Sequence, residues 1–276
     1  MAKLTTEHVD IAYGDHQVVG DLTLDIPENK ITTIIGPNGC GKSTILKSLA
    51  RIQSVNGGFV YLDGKAIKKE PSKQIAKKMG VLPQSPEAPS GLTVAELVSY
   101  GRFPHQKGFG KLTKHDYEII KWAIDITGVE EFENRSIDSL SGGQRQRVWI
   151  AMALAQETEI LILDEPTTYL DLAHQLEVLQ LLERLNKEEG RTIVMVIHDL
   201  NQAARFADYI VAIHKGEIVK EGKPEEVIEK RVLRDVFHID ADIVTDPRTN
   251  RPVCLTYDLV AEQSNNRTEE KVVAFM

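Results

Sequence analysis

A chain of 276 residues that is 42% hydrophobic and 27% charged has the composition of an ordinary globular protein, long enough to bury a substantial core; disordered and fibrous classes are excluded. A formal net charge of -8 argues against a protein that mainly grips nucleic-acid phosphates by counterion release. The two cysteines form neither a disulfide framework nor a CxxC metal spacing, no apolar run approaches the roughly 18 residues of a membrane span, and residues 1–4 lack the apolar core of a signal peptide, so the chain is expected to stay in the cytoplasm.

In chain order, the alternation of apolar and polar side chains over residues 5–13 and 22–26 predicts two antiparallel strands joined around Gly14 and Asp15. The apolar run 31–35 predicts a third strand. It leads into Gly36, Pro37, Asn38, Gly39, Cys40, Gly41, Lys42, Ser43 and Thr44, and then into residues 45–52, where Ile45, Leu46, Leu49 and Ile52 are spaced for one helical face. Strand, glycine loop and helix form the setting of a phosphate-binding P-loop, in which small residues let backbone N–H groups wrap a polyphosphate while the lysine reaches phosphate and the hydroxyl reaches magnesium. A random chain of this length carries the G-x-x-x-x-G-K-[ST] pattern about once in a hundred times.

Residues 59–62 and 81–82 read as short strands, with a turn at Asp63 and Gly64. From Pro83 the pattern changes: helices are expected over 93–100, 113–127 and 141–155, punctuated by Pro86, Pro89, Gly91, Pro104, Gly108 and Gly110. An α/β series then resumes with strands at 160–163, 192–197 and 209–213 and a helix over 170–186, which makes the intervening block an inserted helical subdomain. Lys215 and Gly216 mark a hairpin turn, and residues 224–229 a helix started by proline. Beyond Ile239 the pattern weakens to a turn-rich loop over 246–251, a strand over 253–259 and fifteen mostly polar final residues.

Several polar residues end strands at the sheet edge where the glycine loop emerges. Asp164 closes the run 160–163, a place to hold magnesium beside Ser43, because a hard cation takes oxygen ligands. Glu165 follows and, pointing differently, can take a proton from water attacking a terminal phosphate. His198 closes the strand 193–197 at the carboxyl edge, where open α/β sheets bind ligands. Gln84 can bring a neutral amide to metal or water, and is equally readable as a polar linker residue. Tyr13 fits either an adenine-stacking ring or a core aromatic. Ser141, Gly142, Gly143 and Gln144 open a helix whose N–H groups favour an anion, a second cradle on a chain that already has one.

Taken together in this order, Tyr13, the loop 36–44, Gln84, Leu140 to Gln144, the run 160–165 and His198 resemble the ATP-binding subunit of an ABC transporter over roughly residues 3–235. The resemblance implies an α/β fold with a P-loop NTPase (RecA-like) core, an N-terminal antiparallel β subdomain and the inserted helical subdomain. Residues 1–240 would form the ATPase domain (core 1–84 and 156–240, insert 85–155) and 241–276 a C-terminal extension. Leu170 and Asp171 look like the family's D-loop, although Tyr169 takes a place often held by a smaller residue. ATP and Mg2+ are the implied ligands, with Ser43, Gln84 and Asp164 toward the metal and Glu165, His198 and Gln84 in catalysis. The implied partners are a second copy of the chain, whose Ser141, Gly142 and Gly143 meet the phosphate held by Lys42, integral-membrane permease subunits at the cytoplasmic face, where the chain would be peripheral, and indirectly a substrate-binding lipoprotein or periplasmic protein. No nucleic acid is implied. Gly101-Arg102-Phe103-Pro104-His105 and the stretch from Asp164 to Gln175 narrow the resemblance to ATPases of bacterial ferric siderophore importers, with haem and cobalamin importers as near relatives. The alternative, an ABC ATPase of DNA repair or translation, is disfavoured by the short gap from Gly41 to Asp164, which has no room for a long coiled coil, and by the acidic balance.

Overall fold

The computed structural model describes residues 3–106, 111–168 and 170–260; Gly108, Gly110, Tyr169 and the polar last fifteen residues lie outside the described residues. Two sheets carry the fold. The first is antiparallel, in the order β2-β1-β4-β5, from β1 (Leu4–Tyr13), β2 (His16–Ile26), β4 (Gly57–Leu62) and β5 (Lys65–Ala66). The second has six strands in the order β10-β9-β3-β8-β7-β6. Here β3 (Ile31–Ile35), β6 (Met79–Leu82), β7 (Ile160–Asp164), β8 (Thr192–Val196) and β9 (Tyr209–His214) run parallel, and β10 (Glu217–Gly222) is the antiparallel edge.

Every residue of β3, β7 and β8 is buried, as strands covered on both faces must be, and their sequences are accordingly mostly apolar, with Thr32, Thr33, Thr192 and the terminal Asp164 as the polar members. Successive side chains still part to opposite faces. Ile31, Leu161, Leu163, Ile193, Met195 and Ala212 join the helices on one side, while Ile34, Ile160, Ile162, Val194, Val196 and Val211 pack toward α1 (Lys42–Leu49) and the antiparallel sheet. Helix α1 thus lies between the two sheets.

The short α2 (Ser72–Ala76) precedes β6. Between β6 and β7 come α3 (Val94–Ser99), α4 (Lys114–Ile126) and α5 (Gly142–Leu154), the helices expected from the spacing. Thr93, Thr113 and Ser141 each open one of them in a capping box, accepting from the third residue's N–H while Glu96, Asp116 or Gln144 bonds back. Helix α6 (Leu172–Glu189) is capped by Asp171 and ends at Gly190, whose φ of 67° needs glycine's freedom. Next come α7 (Leu200–Phe206), α8 (Pro224–Val227), α9 (Lys230–Phe237) and the hairpin of β11 (Ile239–Thr245) and β12 (Pro252–Leu259). None of the described helices is long and apolar enough to cross a membrane.

Three local expectations are corrected. The helix after the glycine loop stops at Leu49: Arg51 takes a left-handed φ of 57°, so Ile52 leaves the helical face and is 61% exposed. Strand β2 starts at His16, six residues before the expected start, because in its first half only Val19 is buried and the clean alternation is lacking. The weak pattern beyond Ile239 conceals a regular strand, β11, paired with β12, and α9 precedes it without having been expected.

Candidate functional site

The glycine loop is built by exclusion. A Cβ on Gly36, at φ 153°, would lie 2.2 Å from the carbonyl oxygen of Ile213, and Gly39 and Gly41 hold φ values of 77° and 107° that other residues adopt only under strain. Strand β9 therefore backs the loop, and the Gly216 N–H steadies it further by donating to the Cys40 carbonyl at 3.0 Å. Burial pushes the Cys40 thiol up, with Lys42 pulling the other way. Lys42 is 5% exposed, and its Nζ donates to the carbonyls of Gly36 at 2.8 Å and Pro37 at 2.9 Å. Its ammonium is thereby folded into the mouth of the loop, satisfied by neutral carbonyls that a phosphate oxygen can replace.

Ser43, one residue on, donates from Oγ to Asp164 Oδ1 at 2.8 Å, joining the start of α1 to the end of β7. The other carboxylate oxygen, Oδ2, is buried with no partner. Burial pushes the Asp164 carboxyl above its ordinary range; the Ser43 hydroxyl opposes this, and the neighbouring Glu165 charge adds to it. An orphaned carboxylate oxygen beside a hydroxyl is a hard-oxygen donor set, and it fits a magnesium ion.

Glu165 departs from the strand. At φ 53° it turns out of the β7 alternation, so its carboxylate meets a different set of partners from those of Asp164. His198 Nε2 donates to Oε1 across 2.6 Å, and Gln84 Nε2 and Thr168 Oγ1 donate to Oε2 at 2.7 and 3.0 Å. Burial alone would raise this carboxyl. The bonds from His198, Thr168 and Gln84, with the His198 charge, outweigh burial and hold it below the ordinary range. The structure thus brings Lys42, Ser43, Gln84, Asp164, Glu165 and His198 into one connected site at the carboxyl edge of the parallel sheet. Thr168 belongs to it as well, and the only sequence signal for it is its place three residues after Glu165.

Two expected parts stand apart. Tyr13 ends β1 with its ring 49% exposed, and so is not a core aromatic. Ser141 caps α5, accepting from Gln144 N–H at 3.3 Å, with Gln144 Oε1 accepting from Ser141 N–H at 3.0 Å. Beside Gly142 a Cβ would meet open space, whereas Gly143 packs against the His174 ring. Among the described residues no hydrogen bond or ion pair joins 141–144 to the loop 36–44 of the same chain. A cavity of about 700 Å³ lies by the opposite sheet edge, lined by Lys30, Arg205, Asp208 and Arg251 among others, remote from this chemistry.

The ABC transporter family matches residues 19–168, a stretch that takes in the glycine loop, the Ser141 cradle and the Asp164–Glu165 pair. The chain belongs to that family. It is 66% identical to the iron(3+)-hydroxamate import ATP-binding protein FhuC of Bacillus subtilis (strain 168), over 95% of this chain and 98% of the relative. Its fold matches a metal-chelate type ABC transporter solved in an inward-facing conformation, with TM-score 0.79 and 30% identity over 92% of this chain and 98% of that one. A dimeric ATP-binding cassette in a post-hydrolysis state with ADP and Pi matches with TM-score 0.71 and 32% identity, over 80% of this chain and 98% of that one.

Proposed function

We propose that the chain is the ATP-binding and ATP-hydrolysing subunit of an ABC importer, energising the uptake of ferric siderophores through a separate membrane permease. The observation that carries the reading is the junction at the end of β7, where two adjacent carboxylates divide between Ser43 on one side and His198, Gln84 and Thr168 on the other. The substrate class is supported by the likeness to the iron(3+)-hydroxamate import protein and the metal-chelate transporter.

Residues 36–44 hold the phosphates of ATP, Lys42 exchanging its two carbonyl partners for phosphate oxygens, while the exposed Tyr13 ring takes the adenine face. Ser43 and Asp164, with Gln84 at the same edge, would hold Mg2+, which would supply charge neutralisation for the phosphates. Glu165 is the general base for the attacking water. Gln84 and Thr168 bond Oε2 and only His198 bonds Oε1, so Oε1 keeps a lone pair for the water's proton, and a shift of His198 or Gln84 toward the nucleotide would make Glu165 a stronger acceptor.

Because Ser141 and Gly142 are exposed and 141–144 makes no described bond to the glycine loop of its own chain, it covers the nucleotide of a second copy in a head-to-tail dimer. The insert 85–155 meets the permease at the cytoplasmic face of the membrane, where the chain is peripheral; a substrate-binding lipoprotein or periplasmic protein delivers the chelate. Residues 1–240 form the ATPase domain around this site and 241–276 an extension. The test is Mg2+-dependent phosphate release by the purified chain and by Lys42→Ala, together with ferric hydroxamate uptake by cells lacking the chain. Undiminished turnover in Lys42→Ala refutes the site, and unchanged uptake of hydroxamates, with loss of haem or cobalamin uptake instead, refutes the substrate class.

A further inference from the structure

A second set of amides, outside the site just described, controls the loop that carries Thr168. Leu170 ends this loop, and its carbonyl accepts from Gln175 Nε2 at 2.9 Å. Gln175 Oε1 in turn accepts from Gln202 Nε2 at 2.6 Å, and the Gln202 backbone N–H donates to Asp199 Oδ1 at 2.8 Å. Gln202 is 8% exposed, so its amide has little access to water as an alternative partner.

The direction of the relay is fixed by chemistry. A carbonyl can only accept, so Gln175 must turn its NH2 group toward Leu170; that leaves its oxygen facing Gln202, which must donate. The chain of bonds therefore runs from the residue after His198, through two helices, to the far end of the loop that begins at Pro166. The near end is pinned as well: Gln146, on the helix that Ser141 caps, donates to the Pro166 carbonyl at 2.9 Å. Between these anchors Thr168 reaches Glu165.

We propose that Gln175 and Gln202 are positioning residues for ATP hydrolysis, an amide pair, half-buried at Gln175 and buried at Gln202, that ties Leu170 to the start of α7 and so keeps Thr168 and His198 in register on the two oxygens of Glu165. The inference rests on the proposed ATPase reading. Neither amide touches the nucleotide site; both act through the loop. Movement of His198 with its strand end is transmitted by the relay to Leu170 and Asp171, and Asp171 carries it on to the Ser141 cradle through the His174 ring, which it holds at 2.8 Å and which packs on Gly143.

Variants of the full chain with side chains of similar size separate the two bonds. Gln175→Glu keeps an acceptor for Gln202 and loses the donor to Leu170; Gln202→Met removes the donor without placing a charge in the buried position. Each should lower kcat about tenfold with KM for ATP unchanged and the chain still folded at the assay temperature, and the double variant should cost no more than either single one, as expected for links of one chain. Parent-like kcat in both variants, additive losses, or a fall explained by KM or melting overturns the inference and leaves the ATPase reading standing. A parent chain without turnover overturns both.

Discussion

Replacing Asp116 with asparagine tests whether an ionic network anchors the helical insert. Arg102 is 1% exposed, and its Nε donates to Asp116 Oδ1 at 2.7 Å while Nη1 donates to the Ala155 carbonyl at 2.8 Å and to Glu157 Oε2 at 3.0 Å. Asp116 also accepts from the N–H and hydroxyl of Thr113, so one side chain caps α4 and neutralises a buried guanidinium. Burial pushes the Asp116 carboxyl up, but the Thr113 and Arg102 bonds overcome that and lower it from 3.8 to about 2. At about 1.4 kcal/mol per pH unit, this depression stabilises the fold by about 2 kcal/mol at neutral pH. For a chain of this size the Asp116→Asn variant should melt about 4–8 °C below the parent. The sign follows from the depressed carboxyl: the contribution is complete above its ordinary value near 3.8 and is lost as pH falls toward 2. Urea unfolding of parent and variant should therefore show a constant gap from about pH 5 to 8 that narrows below about pH 4. A variant that melts within about 1 °C of the parent, or a gap unchanged in acid, refutes the argument.

Three further outcomes are expected. Glu165→Gln should retain ATP binding and lose about 10²- to 10⁴-fold in kcat, and phosphate release at the parental rate removes its role as base. Ser141→Arg should bind ATP as a single chain but fail to close the dimer, so that sedimentation with ATP gives a monomer; a dimer of parental stability shows that the cradle is not shared. Gly101→Ala places a methyl 2.3 Å from the Met152 carbonyl oxygen, a backbone atom that cannot swing aside, and should cost about 1–3 kcal/mol in urea unfolding.

The parts of this molecule legible in the sequence are those encoded locally. Thr93, Thr113 and Ser141 announce helix starts because a cap and its third-residue partner are close neighbours in the chain. The buried parallel strands announce themselves because burial on both faces favours runs of Ile, Leu, Val and Met, broken in β3 only by the β-branched Thr32 and Thr33. Helix α9 escapes although Val232, Leu233, Val236 and Phe237 are spaced for one face, because it is only eight residues long, no side chain caps its start, and His238 rather than glycine takes the left-handed end. In β11 the apolar positions alternate with Asp240 and Asp242, which read as a solvated loop until pairing with β12 is known. The candidate site divides the same way. Residues in the glycine loop, the Ser141 cradle and the acidic strand end carry their own pattern, whereas Gln175 and Gln202, 27 positions apart, are ordinary polar helix residues until the fold brings them to 2.6 Å.

The separation of Asp164 from Glu165 is the point at which backbone conformation becomes chemistry. Successive side chains of a strand already part to opposite faces, and the left-handed φ of Glu165 turns its carboxylate onto His198, Gln84 and Thr168, while its charge still acts on Asp164; the two carboxyls move in opposite directions. Asp164 is driven up by burial with one hydroxyl for relief and one oxygen unpartnered, a state that a cation relieves better than any neutral donor. Glu165, also penalised by burial, is held ionised by three donors and becomes more basic as those donors leave. Drawing His198 and Gln84 away from Glu165 would make it a stronger proton acceptor. Coupling the release of those two donors to phosphate contacts would make turnover depend on assembly of the whole site.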